Sequence, residues 1–296
     1  MKRPILGVLI VLTCVAVGSA AAPPLKFFFS DVVAKKSALE TDSYAINASG
    51  AIAGDYIDSA GIQHGMVLAG KKLTSYDYKK CVGGGIAAFG INRDGNSAGW
   101  CINGSGIPIG WIRLANGKFT DVNFPKASGT EATGINDTQD VAGSYFDSAG
   151  VEHAFFRLKG GKYIKIPDEK GALAVAGWGL NNGRVVTLEV TNSSGLFDSY
   201  TYTVRTKKFK KINVPGAPQS IVHTPNNHGD IVYTIFDSAN GAHGVLFVAK
   251  TKKYIQFDDP KASNSTRGDG LNDSLVIDGR YTPSAGGNFG FKAVTK

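Results

Sequence analysis

Six copies of one phrase spaced 44 to 46 residues apart, four short β-forming runs within each copy, and an unmatched strand at the start of the chain where the last copy lacks one together predict an all-β fold. The expected architecture is a six-bladed β-propeller of four-stranded antiparallel blades, the last blade closed by the N-terminal strand. The chain has 296 residues, 43% hydrophobic and 19% charged, which is too apolar for a disordered polymer. Its 38 glycines follow no G-X-Y period, which excludes collagen.

The first residues read as an address. Lys2 and Arg3 precede an apolar run from Ile5 to Val17 and small residues from Gly18 to Ala22, the pattern of a secretory signal peptide over residues 1–22. Residues 23–296 are then a single propeller domain. No later segment approaches the ~20 apolar residues of a membrane-spanning helix. A secreted or periplasmic protein is expected. Cys14 leaves with the leader, so Cys81 and Cys101 remain in an oxidising compartment, either bridged or as two buried thiols.

The repeat is anchored by Asn47, Asn92, Asn136, Asn181, Asn226 and Asn272. In the third copy, residues 132–136, 141–146, 152–158 and 163–167 are rich in Val, Ile, Phe and Tyr and are separated by Gly, Asn, Asp and Ser, the chemistry of strands and hairpin turns. The sixth copy ends at Lys296 after three such runs. Its missing fourth run is supplied by residues 25–32, which resemble the fourth strand of the second copy, residues 117–122. A linear solenoid would need capping repeats, and none is visible.

His153-Ala154-Phe155, after an Asp-Ser-Ala-Gly turn and preceded by Gly-Ile-Asn and Val-Ala-Gly-x-Tyr, resembles the HAF-repeat proteins, extracellular or surface proteins mostly of bacteria. The resemblance covers residues 44–296. It implies a propeller outside the cytoplasm and names no substrate. Copies one and five read His64-Gly65-Met66 and His243-Gly244-Val245.

Several tempting sites have plainer explanations. Gly95-Asn96-Ser97-Ala98-Gly99 matches a hydrolase nucleophile elbow, but Ser97 falls inside a repeated hairpin where that motif needs a strand-to-helix turn. His64, His153 and His243 each follow their anchor by 17 residues, so in a six-fold ring they stand far too distant to share one metal ion. A packing or turn role is expected for them. His223 and His228 have no catalytic partner in sequence. The anchor asparagines and Asp58, Asp147 and Asp237 suit side-chain-to-backbone turn bonds. No catalytic residue, metal or cofactor is expected.

Two binding surfaces remain. Lys71, Lys72, Lys118, Lys162, Lys207, Lys208, Lys252 and Lys253 lie in the third-to-fourth-strand turns, a basic rim for an anionic polymer or, alternatively, charge that protects exposed strand edges. On the opposite face Tyr56, Asp58, Trp100, Asn103, Tyr145, Asp147, Phe236, Asp237 and Tyr281 combine aromatic platforms with polar groups as sugar sites do, or else pack between blades. Cys101 aligns with Tyr56 and Tyr145, which puts both cysteines on this face. The expected function is a non-enzymatic binding or interaction module for a polysaccharide, surface glycan or protein, monomeric, with nucleic acid disfavoured. The competing expectation is a hydrolase, lyase or lactonase using the central funnel. An enzyme should gather unlike polar residues at the axis; a binder should repeat equivalent pockets.

Overall fold

The computed structural model describes residues 25–296, in which every regular element is a β-strand. The leader read at 1–22 lies outside the described residues. β1 (Phe27–Val32) is followed by an antiparallel meander of β2 (Glu40–Ile46), β3 (Ile52–Ile57), β4 (Gln63–Ala69) and β5 (Lys72–Tyr76). The next comprises β6 (Ala87–Ile91), β7 (Ser97–Ile102), β8 (Pro108–Arg113) and β9 (Phe119–Val122). Then come β10 (Gly129–Ile135), β11 (Val141–Phe146), β12 (Glu152–Arg157) and β13 (Tyr163–Lys165). β14 (Ala174–Leu180), β15 (Val185–Thr191), β16 (Phe197–Thr203) and β17 (Lys208–Lys211) follow. β18 (Ser220–Pro225), β19 (Ile231–Phe236), β20 (Ala242–Val248) and β21 (Lys253–Phe257) repeat the pattern.

The final strands β22 (Ser265–Leu271), β23 (Val276–Thr282) and β24 (Phe289–Thr295) take their fourth member from the other end of the chain. β1 pairs antiparallel with β24 from Phe27 opposite Thr295 to Val32 opposite Gly290. Phe29 and Phe27 pack on Phe257, and Phe29 also on Phe291, so the N-terminal strand is held by buried rings as well as by the ladder. Single parallel residue pairs, Thr41 with Phe289 and Ala242 with Ser265, link neighbouring meanders.

Cores form between meanders. Ala45, Ala53 and Val67 of one meet Ile86, Ala88, Ile91 and Trp111 of the next. The glycine of the repeated phrase lets these layers close. A Cβ on Gly99 would sit 2.0 Å from the Ala87 carbonyl and 2.4 Å from the Trp111 ring, and Gly143 and Gly279 meet the same obstruction from Glu131 and Arg267. Met66 and Phe155, third in their His-x-x phrases, lie opposite Gly54 and Gly143, whereas Val245 faces Tyr233.

The anchor asparagines organise the inner edge. Each Oδ1 accepts one or two turn N–H groups: in the first copy Ser49 N–H at 3.1 Å and Ala51 N–H at 2.9 Å, in the fourth Val185 N–H at 3.0 Å. Each Nδ2 donates to the carbonyl of the next anchor. The series runs from Asn47 to Asn92 (3.0 Å), Asn136 (3.2 Å), Asn181 (3.5 Å), Asn226 (3.0 Å) and Asn272 (3.3 Å), and returns to Asn47 (3.1 Å). One residue type in one turn therefore both shapes the hairpin and joins it to its neighbour.

Candidate functional site

The third-to-fourth-strand turns lie at the same end as the anchor turns. Asn96, Asp140 and Asp230 Oδ1 accept the Ala115, Lys159 and Ala249 N–H groups at 2.9, 3.1 and 2.8 Å, tying one turn to the other. Lys71, Lys72, Lys118, Lys162, Lys207, Lys208, Lys252 and Lys253 are all exposed there, and none has a carboxylate partner among the described residues. The lysines that are paired lie toward the other end: Lys80 with Asp121, Lys165 with Asp168, Lys211 with Asp198 and Lys261 with Asp31.

On that other end the expected aromatic platforms are not free. Tyr56, Tyr145 and Tyr281 are buried at 1%, 7% and 6% exposure, because at their place on the second strand the side chain points into the layer between meanders. The Tyr56 and Ser75 hydroxyls share a hydrogen bond of 2.8 Å. Trp100 is half-buried and stacks on Phe89 at 5.8 Å; half-buried Phe236 lies under the Arg267 guanidinium. The three buried tyrosines are packing residues. Asn103 Oδ1 is engaged by Ser105 and Ile107 N–H, and its residue borders a cleft of about 370 Å³ shared with Lys80, Asp121 and Asn123. Cys81 and Cys101 are bridged, with Cα atoms 5.5 Å apart, which staples the 77–86 connection to β7.

Asp58, Asp147 and Asp237 make the expected turn bonds and also hold the repeated histidines. His64 sets Nδ1 2.8 Å from Asp77 and Nε2 3.3 Å from Asp58. His153 does so with Asp168 and Asp147, and His243 with Asp258 and Asp237. For His64 and His243 partial burial opposes the charged ring, but the two carboxylates outweigh it and hold the imidazole above its ordinary range. The recurrence of Asp at 13 or 15 residues after each His was the signal in the sequence for these clamps.

The axis carries residues that sequence reasoning missed. Tyr44, Phe89, Thr133, Trp178, His223 and Asp269 stand three before each anchor, where the first two strands of every meander slip register. Such a bulge re-aims a side chain, here into the channel. The signal was a repeat column in which all copies differ. These residues enclose about 20 Å³, room for about one water. Arg280 lies 4.7 Å over the Tyr44 ring and 3.6 Å from Asp269 Oδ2. Asp42 and Asp55 oppose each other in register nearby, with Oδ1 of each unpartnered. Burial pushes Asp42 and Asp269 up to about 6 and Asp55 to about 8, with Arg280 opposing each rise, and lowers His223 to about 3. The cluster holds acid–base groups, but its void is too small for an organic substrate. Ser97, the elbow serine, is a fully buried hairpin residue.

At the anchor end the channel widens to a cup of about 300 Å³, with aliphatic side chains below the asparagines and Ala48, Arg93, Asp137, Asn182, Asn227 and Asp273 around the mouth.

No family model matches the chain, and no curated protein does. Solved structures do. An arginine-to-alanine triple mutant of AofleA from Arthrobotrys oligospora aligns over 92% of this chain and 88% of its own at 11% identity, TM-score 0.57. A putative TolB from Agrobacterium tumefaciens aligns over 85% and 89% at 14% identity, TM-score 0.58. A mutant Aleuria aurantia lectin in complex with Fucalpha1-6GlcNAc aligns over 88% and 95% at 9% identity, TM-score 0.52. At these identities the likeness is one of fold: this chain is an all-β protein of the β-propeller kind. No helix of the described residues is long and apolar enough to cross a membrane.

Proposed function

We infer that the chain is a closed six-bladed propeller of the HAF-repeat type that acts outside the cytoplasm as a non-enzymatic module binding an anionic polysaccharide through its lysine-bearing face. The observation that carries this is a level of eight exposed lysines without carboxylate partners at one end, where the other end mixes unpaired lysines such as Lys79 and Lys126 with paired lysines and clamped histidines. Unpaired cations at one level attract a polyanion over a distance set by the Debye length. The cyclic asparagine series and the β1–β24 pairing support closure and the count of six. That His223 and Asp269 border the small void and not the wider cup supports binding over catalysis. The Fucalpha1-6GlcNAc bound in the Aleuria aurantia lectin structure supports a sugar partner, and the secretory leader read at 1–22 supports the location.

The test is binding of the purified protein to immobilised alginate, a polyuronate, with neutral dextran as control, at low and high salt. Alginate should bind and salt should release it. A variant with Lys118, Lys162, Lys207 and Lys252 changed to Glu should lose most of the affinity while remaining folded. Salt-resistant binding to dextran, or alginate binding unaffected by the four substitutions, would overturn the reading.

A further inference from the structure

The residue after each anchor builds a second hydrogen-bond series around the cup, and this one is interrupted. Arg93 N–H donates to Asp137 Oδ1 (2.9 Å), Asp137 N–H to Asn182 Oδ1 (2.9 Å), Asn182 N–H to Asn227 Oδ1 (2.9 Å), and Asn227 N–H to Asp273 Oδ1 (2.8 Å). At each step the side chain of the next repeat caps the backbone of the one before. The series stops at the seam where the sixth repeat meets the first. Ala48 has no side-chain oxygen to offer Asp273 N–H, and Arg93, next in order, carries only donors and cannot accept from Ala48 N–H. Neither N–H has an acceptor among the described residues.

Two cationic side chains lie beside the turns that flank this gap. Arg93 is exposed, with its nearest carboxylate, Asp94, 4.0 Å away. Lys292 Nζ reaches to 3.7 Å from where a Cβ on Gly50 would lie, in the turn that begins at Asn47. The positions already filled show what fits: Asp137 and Asp273 seat carboxylates on the same ring of N–H groups, each also held by an amide donor from a neighbouring asparagine at 2.8 Å. Convergent backbone N–H groups with a guanidinium beside them make an anion seat.

We propose that this seam binds a carboxylate, one oxygen accepting Asp273 N–H in the place Ala48 leaves empty and the other turned to Ala48 N–H and the Arg93 guanidinium. The cup below has the volume of a small-ligand site, and its floor of aliphatic side chains suits the carbon skeleton of a sugar ring. The ligand class is a uronic acid residue, which rests on the polyanion reading above: lysines hold the chain and the seam reads one acid group of it. The carboxylates of Asp137 and Asp273 are occupied within the series, so they do not compete for the gap.

The experiment is a titration of the 15N-labelled protein with D-glucuronate, acetate and D-glucose, following backbone amide shifts. Glucuronate should move the Ala48 and Asp273 amides saturably, acetate should move them more weakly, and glucose should leave them in place. Ala48→Asn supplies the missing side-chain oxygen and should abolish the response while the protein still binds alginate in a salt-sensitive way. Arg93→Gln should weaken glucuronate by about tenfold, the loss of one charged hydrogen-bonding partner. Shifts equal at Arg93, Asp137, Asn182 and Asn227, an equal response to glucose, or glucuronate binding that survives Ala48→Asn would overturn the seat. Alginate binding without any glucuronate response would sink the seat alone and leave the lysine rim standing.

Discussion

Asn272 Nδ2 donates to the carbonyl of Asn47 at 3.1 Å, joining residues 225 positions apart. It is the same bond that links every other pair of successive anchors, so the last repeat meets the first with the chemistry used between neighbours. In the adjoining sheet β1, the first strand of the described residues, completes the ladder of β24.

Replacing Asn272 separates its two roles. Asn272→Ala removes two turn acceptor bonds and the bond to Asn47 and should lower stability by about 1–3 kcal/mol. Asn272→Asp keeps the acceptor for the turn, loses the donor and faces the Asn47 carbonyl with a carboxylate. Urea unfolding should rank wild type above both variants; equal midpoints for all three would deny the latch any energetic role.

Arg280 is the counter-charge of the axial acids. Arg280→Met should cost about 3 kcal/mol or more at pH 8, where Asp42 and Asp269 are ionised and buried without it. At pH 5 those carboxyls, held near 6, carry protons in the folded state, so the penalty should shrink. A loss of stability independent of pH would mean that Arg280 acts by packing alone.

Acidity should stabilise the wild type over a defined window. Asp55 is pushed up to about 8 and Glu131 and Glu189 to about 7, chiefly by burial, so each binds a proton in the folded state that the unfolded chain releases nearer pH 4. His64 and His243, raised above their ordinary value of 6.5, contribute stability present below that pH and lost as pH rises through the folded value. His223 is held neutral and acts oppositely, but only below about 6.5. Between pH 6.5 and 8 all terms agree, and stability should fall as pH rises. Asp55→Asn should flatten that slope in thermal melts; a rising slope would contradict the burial argument.

The Cys81–Cys101 bridge closes a sequence separation of 20 residues and should contribute on the order of 3 kcal/mol. Reduction, or Cys81→Ala with Cys101→Ala, should lower the unfolding midpoint accordingly. Hydrogen exchange should quicken first in residues 77–86, which the bridge staples; unchanged exchange there would remove its structural role.

The strand plan was legible because it is local. In the third copy the expected runs at 141–146 and 152–158 correspond to β11 and β12 within a residue, since alternating apolar side chains and Gly, Asn and Asp turns act over a few positions. The expected turn bonds of Asn47 and Asp58 follow from the same short range. The sequence left the aromatic residues between platform and packing roles for a related reason. Period-two alternation says that Tyr56, Tyr145 and Tyr281 leave the sheet on one face, but not that another meander covers that face.

The sequence by itself determined the period, the meander boundaries, the turn chemistry and the chain end that supplies the missing strand. Tertiary structure alone decided which side chains meet at the axis and across each seam. Residues such as Tyr44, His223 and Asp269 come together only because each meander bulges three positions before its anchor and the series of anchors turns back on itself. The gap at Ala48 exists only where residue 273 is brought beside residue 48. Hydrogen bonding along a strand is a short-range code; convergence on an axis depends on the curvature of the whole chain.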